Sequence, residues 1–321
     1  MAIVKQRRAG MWALAACATI VIGLPRDASA QQPSQIVVFG DSLSDPGNAF
    51  ALFGTASTAP DYGLDPFLIP SAPYARGGHH FQNGATWVEQ LARPLGLSTS
   101  VQAAFQLSNP GATNFAVGGA RARTIATGVN LPAQVQAYLQ QSGGARADAL
   151  YVIAVGGNDV RDALFAYSKG QDGGIVLGQA IGSIANAIGT LYAAGARKFL
   201  VWNAADIGRT PAVRSAGALA AGQASQIAHG YNVNLAFVLG NLPNALAGIE
   251  VVQFDAFGLI TEIAENGSTF GLTNVTSACL TPNGAPFACH TPNEFLFWDG
   301  IHPTVAVHAI IAGRISALLG W

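Results

Sequence analysis

Charged residues are scarce in this sequence. Only 10% of its 321 residues are Asp, Glu, Lys or Arg, whereas 50% are apolar and the mean hydropathy is +0.33. So little charge with so much apolar content excludes an intrinsically disordered chain, a collagen-like repeat and a coiled coil. The length allows about two domains at roughly 150 residues per domain. Open α/β proteins of this size are often single units, so we expect one domain over residues 31–321.

The N-terminal apolar run is too short to be a convincing membrane anchor. A transmembrane helix needs about 20 consecutive apolar residues, and the N-terminal run from about Met11 to Leu24 is shorter. Three basic residues precede this run, and Ala28-Ser29-Ala30 ends it with the small-x-small pattern of a secretory signal peptide. We therefore predict that residues 1–30 are removed and that the protein is exported to the periplasm or the medium.

Basic residues and cysteines are few beyond that segment. Residues 1–30 contain four of the 16 basic residues and one of the 17 acidic ones, so the remainder has a net charge of about −4. This charge argues against binding of nucleic acid. Two cysteines remain, Cys279 and Cys289, and an even pair in an exported protein predicts a disulfide. Cys17 offers an alternative lipoprotein cleavage site, but cleavage there would leave an exposed apolar stretch from Ala18 to Leu24.

Short β-branched apolar runs alternate with longer helical patterns through the rest of the chain. This alternation predicts a parallel sheet covered by helices on both faces. The predicted strands are Ile36–Phe39, Thr113–Val117, Leu150–Val155, Lys198–Trp202 and Ile249–Phe254. The predicted helices lie near Ala85–Leu95, Leu131–Gln140, Gly178–Ala194, Ala216–Leu239, Phe257–Glu265 and Pro303–Leu319. Two segments rich in proline and glycine, about 53–81 and 266–297, are predicted to be long loops.

A serine follows the first predicted strand in Gly40-Asp41-Ser42-Leu43-Ser44-Asp45. The carboxyl ends of strands in an open parallel sheet line the ligand crevice, so Ser42 would face a ligand there. The alternative is that Ser42 caps a helix, as serine often does. Asp41 and Asp45 are expected to brace the turn by local hydrogen bonds.

Two glycine-containing turns follow the next two predicted strands at the same edge of the sheet. They read Val117-Gly118-Gly119-Ala120 and Val155-Gly156-Gly157-Asn158. Glycine lets a backbone N–H approach a ligand closely, and Asn158 offers a side-chain amide donor. Together with the Ser42 N–H, these groups could hold an oxyanion. The alternative is that the glycines only form turns.

An acidic residue and a histidine, Asp299 and His302, precede the last predicted helix. Serine is a poor nucleophile unless an imidazole takes its proton, and a carboxylate can hold that imidazole in the required tautomer. The spacing of three residues allows both side chains to face one pocket. The alternative is a helix start with Asp299 near the helix dipole and His302 on the surface.

These motifs, in this order, resemble those of the GDSL, or SGNH, hydrolase family. The strings FGDSLSDPGN, NFAVGG, GGNDV and FWDGIHPT are most similar to its plant-type and bacterial secreted esterase/lipase branch. The resemblance implies a flavodoxin-like, three-layer α/β/α fold with a parallel five-stranded sheet, and no cofactor or metal. It also implies Ser42 as the nucleophile, His302 as the base and Asp299 as its orienting acid. The implied oxyanion donors are Ser42, Asn158 and one glycine, which Gly119 matches better than Gly118.

The resemblance implies a secreted serine esterase or lipase that acts on a small-molecule or lipid ester. An acyltransferase, a phospholipase and a carbohydrate deacetylase use the same chemistry and stay open, as does the oligomeric state. A non-catalytic exported binding protein is the alternative from another class. We predict that aromatic residues of the two long loops line an acyl pocket: Phe53, Tyr62, Phe67, Tyr74, Phe81, Phe287, Phe295, Phe297 and Trp298. Of the other histidines, His79-His80, His229 and His308 are expected to be surface or helix residues and not metal ligands.

Overall fold

A computed structural model describes residues 32–53, 79–106, 109–280 and 288–321. The predicted signal peptide, most of the first predicted long loop and Phe287 of the second lie outside these described residues. The division into a signal peptide and a single domain over residues 31–321 therefore stays a prediction.

The main sheet has four parallel strands in the order β1-β2-β3-β4. Their bounds are β1 Ile36–Gly40, β2 Leu150–Ala154, β3 Lys198–Trp202 and β4 Glu250–Phe254. Every residue of β1 and β2 is buried. Such continuous apolar strands are typical of a sheet that is covered on both faces.

The prediction of a fifth strand at Thr113–Val117 is wrong. This segment runs along the edge of β1 that faces away from β2. There the Val38 N–H donates to the Thr113 carbonyl and the Phe115 N–H donates to the Val38 carbonyl, as in a parallel ladder. The regular ladder stops after one bridge because the side chain of Gln134 takes the Gly40 N–H, although the Val117 N–H still donates to the Gly40 carbonyl at 3.1 Å. Gln134 Oε1 accepts the Gly40 N–H at 2.9 Å, and its Nε2 donates to the Gly40 carbonyl at 2.8 Å. The segment therefore flanks the sheet without becoming a regular strand.

Helices cover both faces of the sheet, and alternate strand residues point to different faces. The described helices are α1 Asn48–Phe53, α2 Trp87–Ala92, α3 Leu131–Ser142, α4 Gly157–Ser168, α5 Gly173–Ala193, α6 Pro211–Ser215, α7 Ala218–Ala245, α8 Ala256–Glu265 and α9 Val305–Leu319. In β1, Val37 and Phe39 pack in a core with α3, α5 and α7, whereas Ile36 and Val38 pack in a second core with α2, α8 and α9. The result is a three-layer α/β/α arrangement. Helices α1, α4 and α6 were not among the predicted helices.

The second predicted long loop contains regular structure. Residues Asn274–Ala278 form β5 and residues Phe295–Phe297 form β6, and the two strands make a small parallel sheet. Short 3₁₀ helices occur at Ile207–Arg209, Gly267–Phe270 and Pro292–Glu294. Strand β6 leads directly into the Asp299–His302 turn, so this small sheet helps to place that turn.

Helix α5 is the one helix in the described ranges that is long and apolar enough to cross a membrane. Its buried residues, which include Ile184, Ile188 and Leu191, belong to the core on one face of the sheet. The helix packs mainly against α4.

Candidate active site

Three polar side chains from opposite ends of the chain form one hydrogen-bonded row. Ser42 lies in the turn after β1, and Asp299 and His302 lie between β6 and α9. The distance from His302 Nε2 to Ser42 Oγ is 2.8 Å, and that from His302 Nδ1 to Asp299 Oδ2 is 2.7 Å. All three residues are buried. An imidazole held between a carboxylate and a hydroxyl in this way can take the proton of the hydroxyl.

Asp299 fixes both its own orientation and the tautomer of the imidazole. Its Oδ1 accepts the backbone N–H groups of Ile301 and His302 at 2.8 and 2.6 Å, so the carboxylate shapes the turn on which His302 stands. An ionised carboxylate can only accept hydrogen bonds, and His302 Nδ1 must therefore donate to Asp299 Oδ2. The lone pair of Nε2 then faces the hydroxyl of Ser42.

Two buried carboxylates brace the turn that carries Ser42. Asp41 accepts the N–H of Leu43 at 3.1 Å, and burial raises the pKa of Asp41 to about 6. Asp45 accepts four backbone N–H groups at 2.6 to 3.0 Å. The first three of these donors lie at residues 47–49, and the fourth belongs to Gly118. Asp45 therefore ties the Ser42 turn to the first glycine turn.

The two glycines of that turn differ in what their N–H groups can do. The N–H of Gly118 donates to Asp45 Oδ2 at 2.8 Å, so it is occupied. Gly119 follows with a φ of +76°, a conformation that glycine adopts without strain. A Cβ on Gly118 would clash with the ring of Phe81, and the centroid of that ring lies 5.5 Å from that of the His302 ring. Phe81 thus packs between this turn and the imidazole.

Asn158 stands in the first turn of α4, where it lines the same cavity as Ser42 and His302. Its Nδ2 donates to the carbonyl of Ala120 at 2.9 Å, which orients the amide and leaves a second N–H for a ligand. Gly119 is not among the residues that line the cavity.

Charged side chains tie the loop after Gly119 to helix α4. Arg123 contacts Asp159 at 2.6 Å and Asp162 at 2.7 Å, and Arg121 contacts Asp162 at 3.0 Å. The fully buried Asp159 also accepts the N–H of Ala122 at 2.7 Å. Burial raises the pKa of Asp159. The side-chain hydrogen bonds from Arg121 and Arg123 outweigh burial at Asp162 and lower its pKa. The network holds Gly119 and Asn158 in a fixed relation.

A mainly apolar cavity of about 110 Å³ opens beside Ser42, Asn158 and His302. Because a single water molecule needs only about 10–15 Å³ of such space, the cavity has room for an alkyl group. Its apolar walls come from the carboxyl ends of the strands and from α8 and α9: Trp202, Phe254, Leu259, Ile260, Phe297 and Ile311. Apolar walls with a few convergent polar groups are typical of ligand sites.

Most of the described rings that were predicted to line an acyl pocket do not line this cavity. Of the predicted rings, Phe297 lines the cavity, Phe81 packs on the His302 ring, and Phe53 is exposed. Phe295 and Trp298 pack around the cysteine pair. Tyr62, Phe67, Tyr74 and Phe287 lie outside the described residues. Trp202 and Phe254, the last residues of β3 and β4, were missed, although their position at strand ends was a signal that could have identified them.

Cys279 and Cys289 are joined by a disulfide. The N–H of Cys279 donates to the carbonyl of Phe297 at 3.0 Å, and the N–H of Leu280 donates to that of Trp298 at 2.9 Å. The disulfide-bonded segment therefore pairs with the two residues that directly precede Asp299.

The other histidines lie apart from this row, and no group of three or more His, Cys, Asp or Glu side chains placed to hold a metal ion occurs among the described residues. His80 contacts Glu89 at 2.8 Å, and the ring of His79 stacks on that of Phe50. His229 lies in α7 and the fully buried His308 lies in α9.

The chain is similar to proteins of a known family. The GDSL-like lipase/acylhydrolase family matches residues 36–315. The chain is 28% identical to a GDSL lipase of Tanacetum cinerariifolium, covering 99% of this chain and 91% of that protein. It is 26% identical both to the GDSL esterase/lipase At4g16230 of Arabidopsis thaliana, covering 87% and 85%, and to a phosphatidylcholine-sterol acyltransferase of Aeromonas hydrophila, covering 92% and 93%.

Proposed function

Because the chain belongs to the GDSL-like lipase/acylhydrolase family, we propose that it is an exported serine esterase or lipase that hydrolyses carboxylic esters. The observation that carries this proposal is the row from Asp299 through His302 to the hydroxyl of Ser42, with hydrogen bonds of 2.7 and 2.8 Å. Export is supported by the signal-peptide pattern of residues 1–30 and by the disulfide between Cys279 and Cys289.

The first half-reaction forms an acyl-enzyme. His302 Nε2 takes the proton of the Ser42 hydroxyl as Oγ attacks the ester carbonyl carbon, and the carbonyl electron pair moves onto oxygen. As the tetrahedral intermediate collapses, the ester C–O bond breaks and the imidazolium gives its proton to the leaving alcohol. Asp299 stays ionised throughout and stabilises the imidazolium.

The second half-reaction releases the acyl group. His302 takes a proton from water, the resulting hydroxide attacks the acyl carbonyl, and the Ser42 Oγ leaves with the proton held by His302. In both halves the oxyanion is held by the N–H groups of Ser42 and Gly119 and by Asn158 Nδ2. This assignment is supported by the occupied N–H of Gly118 and by the position of Asn158 beside Ser42 in the cavity wall.

Acyl transfer to an alcohol is the second candidate function. Its support is the similarity to a phosphatidylcholine-sterol acyltransferase over nearly the full length of both chains. The chemistry differs only in the acceptor, which is an alcohol instead of water in the second half-reaction. Adding an alcohol acceptor to an ester assay and measuring ester against free acid by mass spectrometry separates the two functions.

Removal of the nucleophile or the base tests the proposal. Ser42→Ala and His302→Ala should each lower kcat by on the order of 10⁶-fold, and Asp299→Asn by a smaller factor, because triad members act as a unit. Wild-type protein should also gain the mass of one serine-directed phosphonate, and Ser42→Ala should not.

Ser44→Ala is the matched control for this experiment. Ser44 lies in the same turn, is fully buried, and its hydroxyl accepts the indole N–H of Trp87 at 3.0 Å. Its loss should lower thermal stability while kcat changes by only a few fold. Near-full ester hydrolysis by folded Ser42→Ala would refute the nucleophile, and no hydrolysis or labelling by the wild type would favour the non-catalytic binding protein.

A further inference from the structure

The cavity beside Ser42 extends along the carboxyl edge of the sheet. Ser42 stands after β1, Val155 follows β2, Trp202 ends β3 and Phe254 ends β4, and all four residues line the cavity. Because the strands are neighbours in that order, the cavity leads from the serine toward the opposite edge of the sheet.

Apolar side chains from two helices also line the cavity. Leu259 and Ile260 come from α8 and Ile311 from α9, and each of the three is at most 7% exposed. The rings of Trp202 and Phe254, 4.8 Å apart between centroids, line the same cavity. We call Leu259, Ile260 and Ile311 the end wall.

We infer that this cavity holds the acyl chain of the ester and that the end wall limits the length of that chain. The inference rests on the proposed function, since it requires an acyl group on Ser42. The ligand class is an unbranched aliphatic acyl group, because an alkyl chain loses no hydrogen bonds when it enters apolar walls, whereas a sugar or charged group would.

The order of the two half-reactions favours the acyl chain over the alcohol. The alcohol must leave before water attacks, so it needs an open path to solvent. The acyl chain stays covalently attached to Ser42 between the two steps and can lie in a closed cavity. A cavity with mainly apolar walls therefore fits the part of the substrate that remains bound.

Burial of the acyl chain gives the expected dependence of kcat/KM on chain length. Each methylene removed from water contributes about 0.8 kcal/mol, which corresponds to an increase in kcat/KM of about fourfold per added carbon. The increase should continue until the chain reaches the end wall and then reverse. Ile260→Ala removes three carbons from that wall, so the best acyl length should increase by about two or three carbons.

The experiment measures kcat/KM for nitrophenyl esters from acetyl to dodecanoyl with the wild type, Ile260→Ala and Ile263→Ala. Ile263 is the matched control, because it lies one turn further along α8 and is fully buried but does not line the cavity. We expect Ile260→Ala to move the optimum to longer chains and Ile263→Ala to lower stability without moving it. If Ile260→Ala does not fold, Ile260→Val should move the optimum by about one carbon.

A second substrate series tests whether the acyl part or the alcohol part of the ester occupies the cavity. Acetate esters of alcohols from ethanol to octanol should give the same ranking with the wild type and Ile260→Ala. A shift in the alcohol ranking without a shift in the acyl ranking would overturn the inference, as would equal shifts with Ile260→Ala and Ile263→Ala. If Ser42 is labelled by phosphonate and esters are hydrolysed but no ranking changes, the inference fails while the proposed function stands.

Discussion

The side chain of His302 is restrained on several sides by groups that are far apart in sequence. Ser42, 260 residues away, contacts one ring nitrogen, and Asp299 contacts the other. The ring of Phe81 packs beside the imidazole, and the carbonyl of His302 accepts the N–H of Trp298 at 2.8 Å. Such restraint matters for the proposed chemistry because a displacement of about 1 Å can lower a rate by about 10²-fold.

The amide of Asn158 gives a prediction that separates transition-state binding from ground-state binding. If Nδ2 donates only when negative charge develops on the carbonyl oxygen, Asn158→Ala should lower kcat by about 10²–10³-fold with little change in KM. Steady-state kinetics on one short-chain ester checks this outcome.

Asn203→Ala is the control for that measurement. Asn203 lines the same cavity, but its Nδ2 already donates to Asp255 at 2.7 Å. Its replacement should change kcat by only a few fold. An Asn158→Ala variant with raised KM and unchanged kcat would instead make Asn158 a substrate-binding residue.

Residues with local motifs were predictable from the sequence, whereas residues that meet only in the fold were not. Ser42, Asn158, Asp299 and His302 were named because each follows a strand or precedes a helix in a short, recognisable pattern. Arg123 and Asp162 were missed because their contact joins segments 39 residues apart with no local signal. Trp202 and Ile260 were missed because an apolar residue that lines a cavity has the same sequence pattern as one that fills a core.

The prediction of strands from the sequence has the same limit. Four of the five predicted strands are present because their apolar runs are buried on both sides. The segment Thr113–Val117 has a similar pattern and still fails, because Gln134 occupies the N–H of Gly40 from a position 94 residues away. Strands β5 and β6 were missed since proline and glycine around them favoured a loop.

The small sheet of β5 and β6 gives a prediction about the disulfide. The disulfide closes a loop between residues ten positions apart, which should contribute roughly 2–3 kcal/mol to the stability of that segment. Because Cys279 and Leu280 pair with Phe297 and Trp298, loosening the segment should also disturb the position of Asp299. We expect the double variant Cys279→Ser, Cys289→Ser to unfold at lower temperature and to have lower kcat.

Reduction of the wild type provides the second arm of that test. Thermal unfolding and ester hydrolysis are measured after reduction, with thiol counting by mass spectrometry to confirm that the bond is open. Full activity with two free thiols would remove the catalytic role of the disulfide, and two free thiols in the untreated protein would refute the bond itself.

The stability of the folded chain should depend on pH through groups buried between its layers. His308 is fully buried in α9, its Nδ1 accepts the N–H of Trp87 at 3.0 Å, and its Nε2 has no hydrogen-bond partner among the described residues. Burial, together with the positive charges that His302 and His80 can carry, lowers the pKa of His308 from 6.5 to about 3. The link between α2 and α9 thus requires a neutral imidazole.

The sign of the effect follows from the protons bound in each state. Between pH 6.5 and about pH 3 the unfolded chain binds a proton at His308 that the folded chain does not, so this residue makes the folded state less stable as the pH falls. Asp41 and Asp45 act in the opposite sense, because burial raises the pKa of each from 3.8 to about 6 and the folded state then binds protons first. The pH dependence of the free energy of unfolding therefore combines the effects of all three groups. A comparison with a variant is needed to isolate the effect of His308.

His308→Gln provides that comparison, because the glutamine amide oxygen can still accept the Trp87 N–H but does not titrate. Urea unfolding at pH 7 and at pH 5 gives the free energy of unfolding of both proteins. We expect the free energy of the wild type to fall relative to that of the variant by up to about 1.4 kcal/mol for each pH unit below 6.5, the value for one proton. The same difference between the two proteins at both pH values would show that His308 is protonated equally in the folded and unfolded states. The conclusion that His308 is neutral in the folded state would then be wrong.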